Sequence, residues 1–501
     1  MAVSIETSNA ALASRYDEIP YDALPHQATH PGRLATVAKF SGHPSPGVES
    51  CSVLEVGCSD GANLIPMAVS LPNARFVGCD LSPRAVEAGR RTIEALGVAN
   101  ITLFEGDLAL ASAHGEFDFI VAHGVYSWVP PEARDALFAL AAQSLAPNGI
   151  LYVSLNVLPG CRLRQAAWEV LHCEVDHIEN ADARLAAARE LAGLFAGGGA
   201  ATHESDQALR AEFRAIAQHS DSEIAHDDLA VPNDPVFFRT FVAHAARHGL
   251  RYLAEADVQG TDLTGISDAA KARLSRLDPL GREQFLDFLR LRRFRQSLLV
   301  RDEAPSDTMS QAERLRSMHV SASLVLMTAA AAGGVHKLAR KLDPASGGGG
   351  AVRRLLDGLV ARFPATYGIA RLGDHLGLPA LSRPLAAILT DAYLSGMVDL
   401  HVHPPPVTNK APERPIASPL SRLQARTGDT LTTLLHTQVA IADANALRLL
   451  PLVDGTRDRA GLAAAVRQVT VDIDPSRTHD FVDYALGKFA HLGLLMAGAD
   501  G

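Results

Sequence analysis

A chain of 501 residues that is 47% hydrophobic and 20% charged reads as soluble and globular, with room for about three domains at ~150 residues each. A net charge of -10 lacks the basic footprint of a general nucleic-acid binder, and no run nears the ~20 apolar residues that span a bilayer. Five cysteines, Cys51, Cys58, Cys79, Cys161 and Cys173, lie in the N-terminal part of the chain without a C-x-x-C pair, which suits reduced cytoplasmic thiols better than a disulfide frame or a zinc site.

The opening stretch, MAVSIETSNAALASRYDEIP, has no basic n-region and no apolar h-region, so no signal peptide is expected. Tyr16, Tyr21 and the Thr29-His30-Pro31 run precede the first strand, where a segment can close as a lid or pack as a helix. Residues 51 to 155 alternate between short apolar runs (CSVLEVG, ARFVGCD, ITLFEGD, FDFIVAHG, GILYVSL) and helical stretches such as SPRAVEAGRRTIEAL and PEARDALFALAAQSL. That alternation predicts an α/β domain with a parallel, Rossmann-like sheet covered by helices on both faces. Pro147-Asn148-Gly149 is expected to end a helix just before the fifth strand.

Residues of about 160 to 232 read as a helical insertion, with LHCEVDHIENADARLAAARELAGLF and ESDQALRAEFRAIAQ parted by AGGGAA. PVFFRTFVAHAARHGLRYLAEADV and LDFLRLRRFRQSLLVRD each read as helix then strand. They can supply the last two strands of the first sheet, so the first domain is expected to span 1–302. In a middle region, 303–410, residues 352 to 402 run helix, short helix, helix, strand, an order that suggests a winged helix. Residues 411–501 follow a proline-rich connection and read as a mainly helical C-terminal domain. A winged helix reads DNA through one helix, but LSRPLAAILTDAYLSGM carries one Arg and one Asp, too little for a phosphate-contacting face. Protein interaction or homodimerisation suits it better.

The chemistry begins at LEVGCSDGANL, residues 54–64. After a strand, the small residues Gly57, Cys58, Ser59 and Gly61 let the backbone turn sharply and approach a ligand, and no Walker lysine follows for a triphosphate. Asp80, followed by Leu81, ends the second strand about 20 residues on, where a carboxylate can accept both hydroxyls of a ribose. Asp107, in FEGDL at the end of the third strand, can accept from an adenine amino group. Each piece alone is explained by a turn or by a helix cap at Ser82-Pro83. Three in order on successive strands describe a nucleoside site.

E-x-G-x-x-x-G, then Asp80, then Gly106-Asp107, then FDFIVAHGVYSWVP resembles a class I S-adenosylmethionine-dependent methyltransferase. The resemblance implies that Glu55, Gly57 and Gly61 sit beside the methionine end, with Asp80 on the ribose and Asp107 on the adenine; Ser59 departs from the usual glycine. An NAD-dependent enzyme would want a pyrophosphate-cradling G-x-G-x-x-G, which is missing. YDEIPYDALPHQATHPGRLATVA, HGVYSWVP, SLNVLPG, HDDLAVPNDPVFFRTFVAHAARHGLRYLAEA and LRRFRQSLLV are similar to bacterial methyltransferases with a methyltransferase regulatory domain, among them the rickettsial protein lysine methyltransferases. This implies S-adenosyl-L-methionine as cofactor, S-adenosyl-L-homocysteine as product, and a protein lysine as the leading acceptor. A small-molecule acceptor, or a catalytically silent cofactor-binding scaffold, remains open.

On the acceptor side, His123, Tyr126 and Trp128 follow the fourth strand. Aromatic walls there can hold an ammonium by cation–π attraction, or simply pack the next helix. His123 is a candidate general base, with a structural hydrogen bond as the plainer role. Asn156, in LNVLPG, can bond substrate or cofactor or form the turn before Pro159-Gly160. His226-Asp227-Asp228 lacks ligand spacing and no metal is expected there; His401 and His403 read as an exposed strand-end pair.

Overall fold

In the computed structural model, residues 18–498 are described apart from position 20 and positions 200–202, 259–262, 264, 345–349, 379–380, 382 and 470–473. Seven strands build the main sheet: β1 Ser52–Val56, β2 Arg75–Asp80, β3 Ile101–Glu105, β4 Phe117–Ala122, β5 Leu145–Asn156, β6 Leu250–Glu255 and β7 Phe294–Arg301. Their order is β3-β2-β1-β4-β5-β7-β6. The first five are parallel, and β7 runs antiparallel to both β5 and β6. This is the Rossmann-like sheet expected, and its last two strands come from the two segments assigned to them.

The inner strands are apolar on both sides because helices cover both faces. Alternate side chains feed two separate cores. Val53, Phe119, Val121, Ile150 and Tyr152 face the helix Pro31–Phe40, while Leu54, Ile120, Leu151 and Val153 face the helices Pro131–Ser144 and Phe238–Ala246. One expectation is corrected. Pro147-Asn148-Gly149 does not precede β5. The strand already begins at Leu145, and the three residues fall where the β4–β5 register shifts, as an irregularity inside the ladder. The antiparallel β6–β7 pair carries a buried charge cluster: Arg295 bonds Glu255 at 2.7 Å and Asp287 at 2.8 Å and lies 3.9 Å from the Phe238 ring centroid.

The described residues of the insertion include three long helices, Arg162–Val175, Ala181–Gly197 and Glu204–Ile216, around their own core of Leu171, Leu185, Phe213 and Ile216. The middle region forms a second, antiparallel sheet in the order β10-β8-β9, from β8 His319–Ala322, β9 Tyr367–Gly368 and β10 Val398–His401. The helix, short helix, helix, strand order read over 352–402 is present as Gly350–Arg362, Leu372–His375, Leu385–Leu394 and β10. The helix Leu385–Leu394 buries Ile388, Leu389, Ala392 and Tyr393, and Tyr393 packs edge-on against Phe40 of the first domain. A helix spent on packing in this way offers no groove-reading face. The last part adds a hairpin, β11 Thr430–Thr432 and β12 Gln438–Ala440, to helices that include Arg459–Val466 and Thr478–His491. Among the described residues no helix is long and apolar enough to cross a membrane.

Candidate active site

The loop after β1 is built by left-handed backbone. Gly57 has φ +71° and Ser59 φ +48°. The amides of Gly57 and Cys58 both donate to Cys79 O, at 2.8 and 3.1 Å, folding the loop over the end of β2. Ser59 N–H donates to Asp80 Oδ2 at 2.7 Å and Ser82 N–H to Asp80 Oδ1 at 2.9 Å. Asp80 is therefore oriented by backbone. The helix cap belongs to Ser82, whose Oγ accepts Ala85 N–H.

Above this loop lies a cavity of about 740 Å³. Glu55, Gly57, Cys58, Ser59, Asp80, Leu81, Asp107 and Tyr21 line it, as do His123, Trp128 and Asn156. Two residues do not. Gly61 is behind the wall, where an added Cβ would come within 3.0 Å of Leu103 Cδ1, so its smallness serves packing. Tyr126 is 2% exposed and turned into the core against Phe138 and Phe241, its hydroxyl 2.9 Å from His244 Nδ1. The expected aromatic wall thus loses Tyr126 and keeps Trp128. Tyr16 lies outside the described residues.

Glu55, near the end of β1, is the electrostatic centre beneath the loop. Its Oε1 accepts Asn63 Nδ2–H at 2.6 Å, while Oε2 is buried without a partner among the described residues. Burial pushes the carboxyl up to about 8, against the pull of the Asn63 donor. Asn63 is held in turn: Oδ1 accepts His26 N–H at 2.8 Å, and Nδ2 also donates to Thr29 Oγ1 at 2.9 Å. Oδ1 accepts a further hydrogen bond from His436 Nε2–H, at 2.8 Å. Neither Asn63 nor His436 was singled out from the sequence. Asn63 lay inside the loop with no local mark, and His436 comes from the β11–β12 turn, with φ +58°.

His123 is corrected as a base. Its Nδ1 is bonded to Tyr152 OH at 2.9 Å, its ring is stacked 3.8 Å from His26, and burial pushes it down to about 3. A group so reluctant to take a proton is a poor base at neutral pH. His401 and His403 are half-buried rather than exposed; His401 Nε2 pairs with Ser321 Oγ at 2.9 Å. Asp107 caps the next turn by accepting Ala109 N–H.

At the far end, the three consecutive residues His226, Asp227 and Asp228 separate on a single π-helical turn, Ile224–Asp228. His226 Nε2 bonds Ile19 O, and Asp228 is buried under Arg164, Trp168 Nε1–H and His219. Asp227 lines the cavity. Asn156 donates Nδ2–H to Asn233 Oδ1 at 2.9 Å, and Asn233 Nδ2–H reaches Asp227 O at 2.8 Å.

The donor set fits S-adenosylmethionine. An orphaned acid stands where an ammonium would be received, Asp80 offers acceptors for a diol, and Asp107 offers one for an exocyclic amine. Comparison with known proteins agrees with this reading. The family description "Methyltransferase domain" matches residues 53–149, "Predicted methyltransferase regulatory domain" matches 220–301, and "PKMT, C-terminal winged helix domain" matches 413–474. An uncharacterised protein of Rickettsia prowazekii is 31% identical over 241 residues, 48% of this chain and 96% of the relative. The chain belongs to the class I S-adenosylmethionine-dependent methyltransferases that carry a methyltransferase regulatory domain.

A longer uncharacterised Rickettsia prowazekii protein is 33% identical over 302 residues, and there the alignment spans 59% of this methyltransferase and only 54% of the relative. The solved structure of PKMT2 from Rickettsia typhi in complex with AdoHcy superposes with TM-score 0.79 at 23% identity, over 95% of this chain and 100% of that one. The shared fold therefore extends through the C-terminal parts. The winged-helix description falls on 413–474, beyond the segment at 352–402 from which a winged helix was read.

Proposed function

We propose that this chain transfers a methyl group from S-adenosylmethionine to a protein lysine side chain. The observation that carries the reading is the extent of the cavity. It continues past the loop at Gly57 and Asp80 into a lobe between the sheet and the helical insertion, walled by Trp128, Trp168 and Phe294. A lobe of this kind suits a long aliphatic side chain with a cationic tip. The likeness of the whole chain to PKMT2 and the large accessory regions support a macromolecular partner.

When bound, the cofactor supplies an electrophilic methyl group on a sulfonium. The protein's own residues bind, orient and desolvate. Glu55, Asp80 and Asp107 hold the nucleoside and its amino-acid tail. Trp128 and Phe294 exclude water from the acceptor's path, and burial of this kind lowers the pKa of an amine and favours its neutral, nucleophilic form. No strong base is required of this site.

The test is transfer of label from the labelled cofactor into a lysate of a strain lacking the gene, with and without prior acetylation of lysines. Label on a discrete protein band that acetylation removes is the expected result. Label confined to the small-molecule fraction would move the acceptor to a small amine or metabolite. Cofactor binding with no transfer to any fraction would point to a silent scaffold.

A further inference from the structure

Asp227 differs from Asp80, Asp107 and Asp228, three other acids around the cavity. Asp80 accepts two backbone amides, Asp107 accepts one, and Asp228 accepts Arg164, Trp168 and His219. Among the described residues, no hydrogen bond or ion pair reaches the Asp227 carboxylate, although it is partly buried and lines the cavity. Its adjacent acid takes the nearby cations. The π-helical turn sends Asp228 to Arg164 and His219 and leaves Asp227 facing the lobe. Turns of this type often occur at functional sites.

A second acceptor lies beside it. Asn156 gives its Nδ2–H to Asn233, so its Oδ1 is the acceptor end, and among the described residues no donor reaches it. The same Asn233 side chain donates to the Asp227 backbone, so one asparagine ties the two together. Trp128, whose buried Nε1–H also lacks an acceptor among the described residues, forms part of the wall. A partly desolvated carboxylate with no directly paired cation is costly unless its ligand brings one. Burial together with Asp228 pushes Asp227 up to about 6, and Glu223 adds to this while His219 and Arg164 oppose it.

We propose that Asp227, together with the side-chain oxygen of Asn156, is the anchor for the acceptor's ammonium and selects cationic amines over neutral acceptors. This rests on the amine-acceptor reading above and names the group that enforces it. Asp227 acts as a positioning residue that captures the acceptor as its ammonium; the nitrogen gives its proton to solvent before transfer, because only the neutral amine carries the lone pair that attacks.

Both tryptophans of the chain, Trp128 and Trp168, line this cavity, so intrinsic fluorescence reports its occupancy. The full chain, saturated with S-adenosylhomocysteine, is titrated with n-butylammonium and with the neutral n-pentanol. The wild type is expected to bind the ammonium at least about 10-fold more tightly. D227N should abolish that preference while keeping S-adenosylhomocysteine affinity, and Asp227→Glu should restore part of it. Equal binding of the two probes, no binding of either, or an unchanged preference in D227N would overturn the anchor. In the labelling assay, D227N should raise KM for the acceptor far more than it lowers kcat. Lysine-dependent label with an unchanged KM in D227N would sink the anchor and leave the lysine reading standing. Label on a small amine with a raised KM would keep the anchor and sink the lysine reading.

Discussion

His436 donates its Nε2–H to Asn63 Oδ1, joining the β11–β12 turn to the loop that follows β1 across 373 positions of sequence. The tautomer follows from the neighbours. Asn63 Oδ1 must be an oxygen because it receives His26 N–H, so the histidine nitrogen facing it carries the proton. Since Asn63 also holds Glu55, the C-terminal part of the chain braces the Glu55 end of the cavity at one remove. His436→Phe should weaken S-adenosylmethionine binding about 3- to 10-fold, the worth of roughly one buried hydrogen bond, while the fold is kept. Calorimetry on both proteins measures this. Equal affinities would confine the contact to domain docking.

The same junction should make the protein sensitive to acid. His30 and His401 are half-buried side chains enclosed by protein and pushed down to about 4 and about 3, and His436, buried, is held well below its ordinary value. Burial is the main cause in each, with other histidines and Arg33 adding repulsion. A depressed folded value means that the unfolded chain binds these protons first. The stability they support is present above pH 6.5 and is lost as pH falls from there towards 4 and below. Urea unfolding at pH 7.5, 6, 5 and 4.5 should show a falling stability, and His401→Gln should reduce the slope. A flat profile over that range would mean that the histidines titrate alike in both states.

The parts of this architecture legible in the sequence are those with local causes. Five strands showed as short apolar runs because both sheet faces are covered, and the Gly57 to Asp107 series showed because a tight turn and strand-end acids leave local marks in the string. What stayed hidden depends on tertiary placement. Tyr126 and Trp128 are two positions apart in HGVYSWVP, yet one enters the core and the other the cavity, and nothing in the string separates them. His226, Asp227 and Asp228 looked like a poor metal set because adjacency was visible and the π-helical turn that parts them was not. The partnership of Asn63 with His436 has no sequence periodicity at all.

Ser59 occupies a position that favours glycine. Its φ of +48° is left-handed, a conformation that costs a side-chain-bearing residue about 1–2 kcal/mol. What the loop uses is its backbone N–H, given to Asp80. Ser59→Gly should therefore stabilise the protein by roughly 1 kcal/mol and leave cofactor affinity within about twofold. Thermal melts with a binding titration check both. A loss of affinity would show that the hydroxyl itself contacts the ligand.

Asp80 has two duties, and they separate in the mutants. Asp80→Ala removes the acceptors offered to the ribose and the acceptor for the Ser59 and Ser82 amides. Two charge-assisted hydrogen bonds at about 1.5–3 kcal/mol each imply a loss of affinity on the order of 100-fold or more. The sheet core beneath is untouched, so circular dichroism should be unchanged. Asp80→Asn keeps one acceptor oxygen and should fall between. An alanine variant that binds as well as the wild type would remove Asp80 from the ribose role.

Glu55 gives a pH dependence of opposite sign to the histidines. Its folded value, about 8, lies above the ordinary 4.5 because the carboxyl is buried with one oxygen unpartnered. The folded protein therefore keeps a proton that the unfolded chain releases. The stability tied to that proton is complete below about pH 4.5 and is lost as pH rises towards 8, reaching on the order of a few kcal/mol. Glu55→Gln is neutral at every pH and keeps an oxygen for Asn63. Urea unfolding without cofactor between pH 6 and 8.5 should show the wild type losing stability relative to the variant as pH rises. S-adenosylmethionine should reverse that order at pH 8, since an ionised Glu55 receives the ammonium and a glutamine cannot pair with its charge. Parallel curves with and without ligand would mean that Glu55 is already ionised in the free protein.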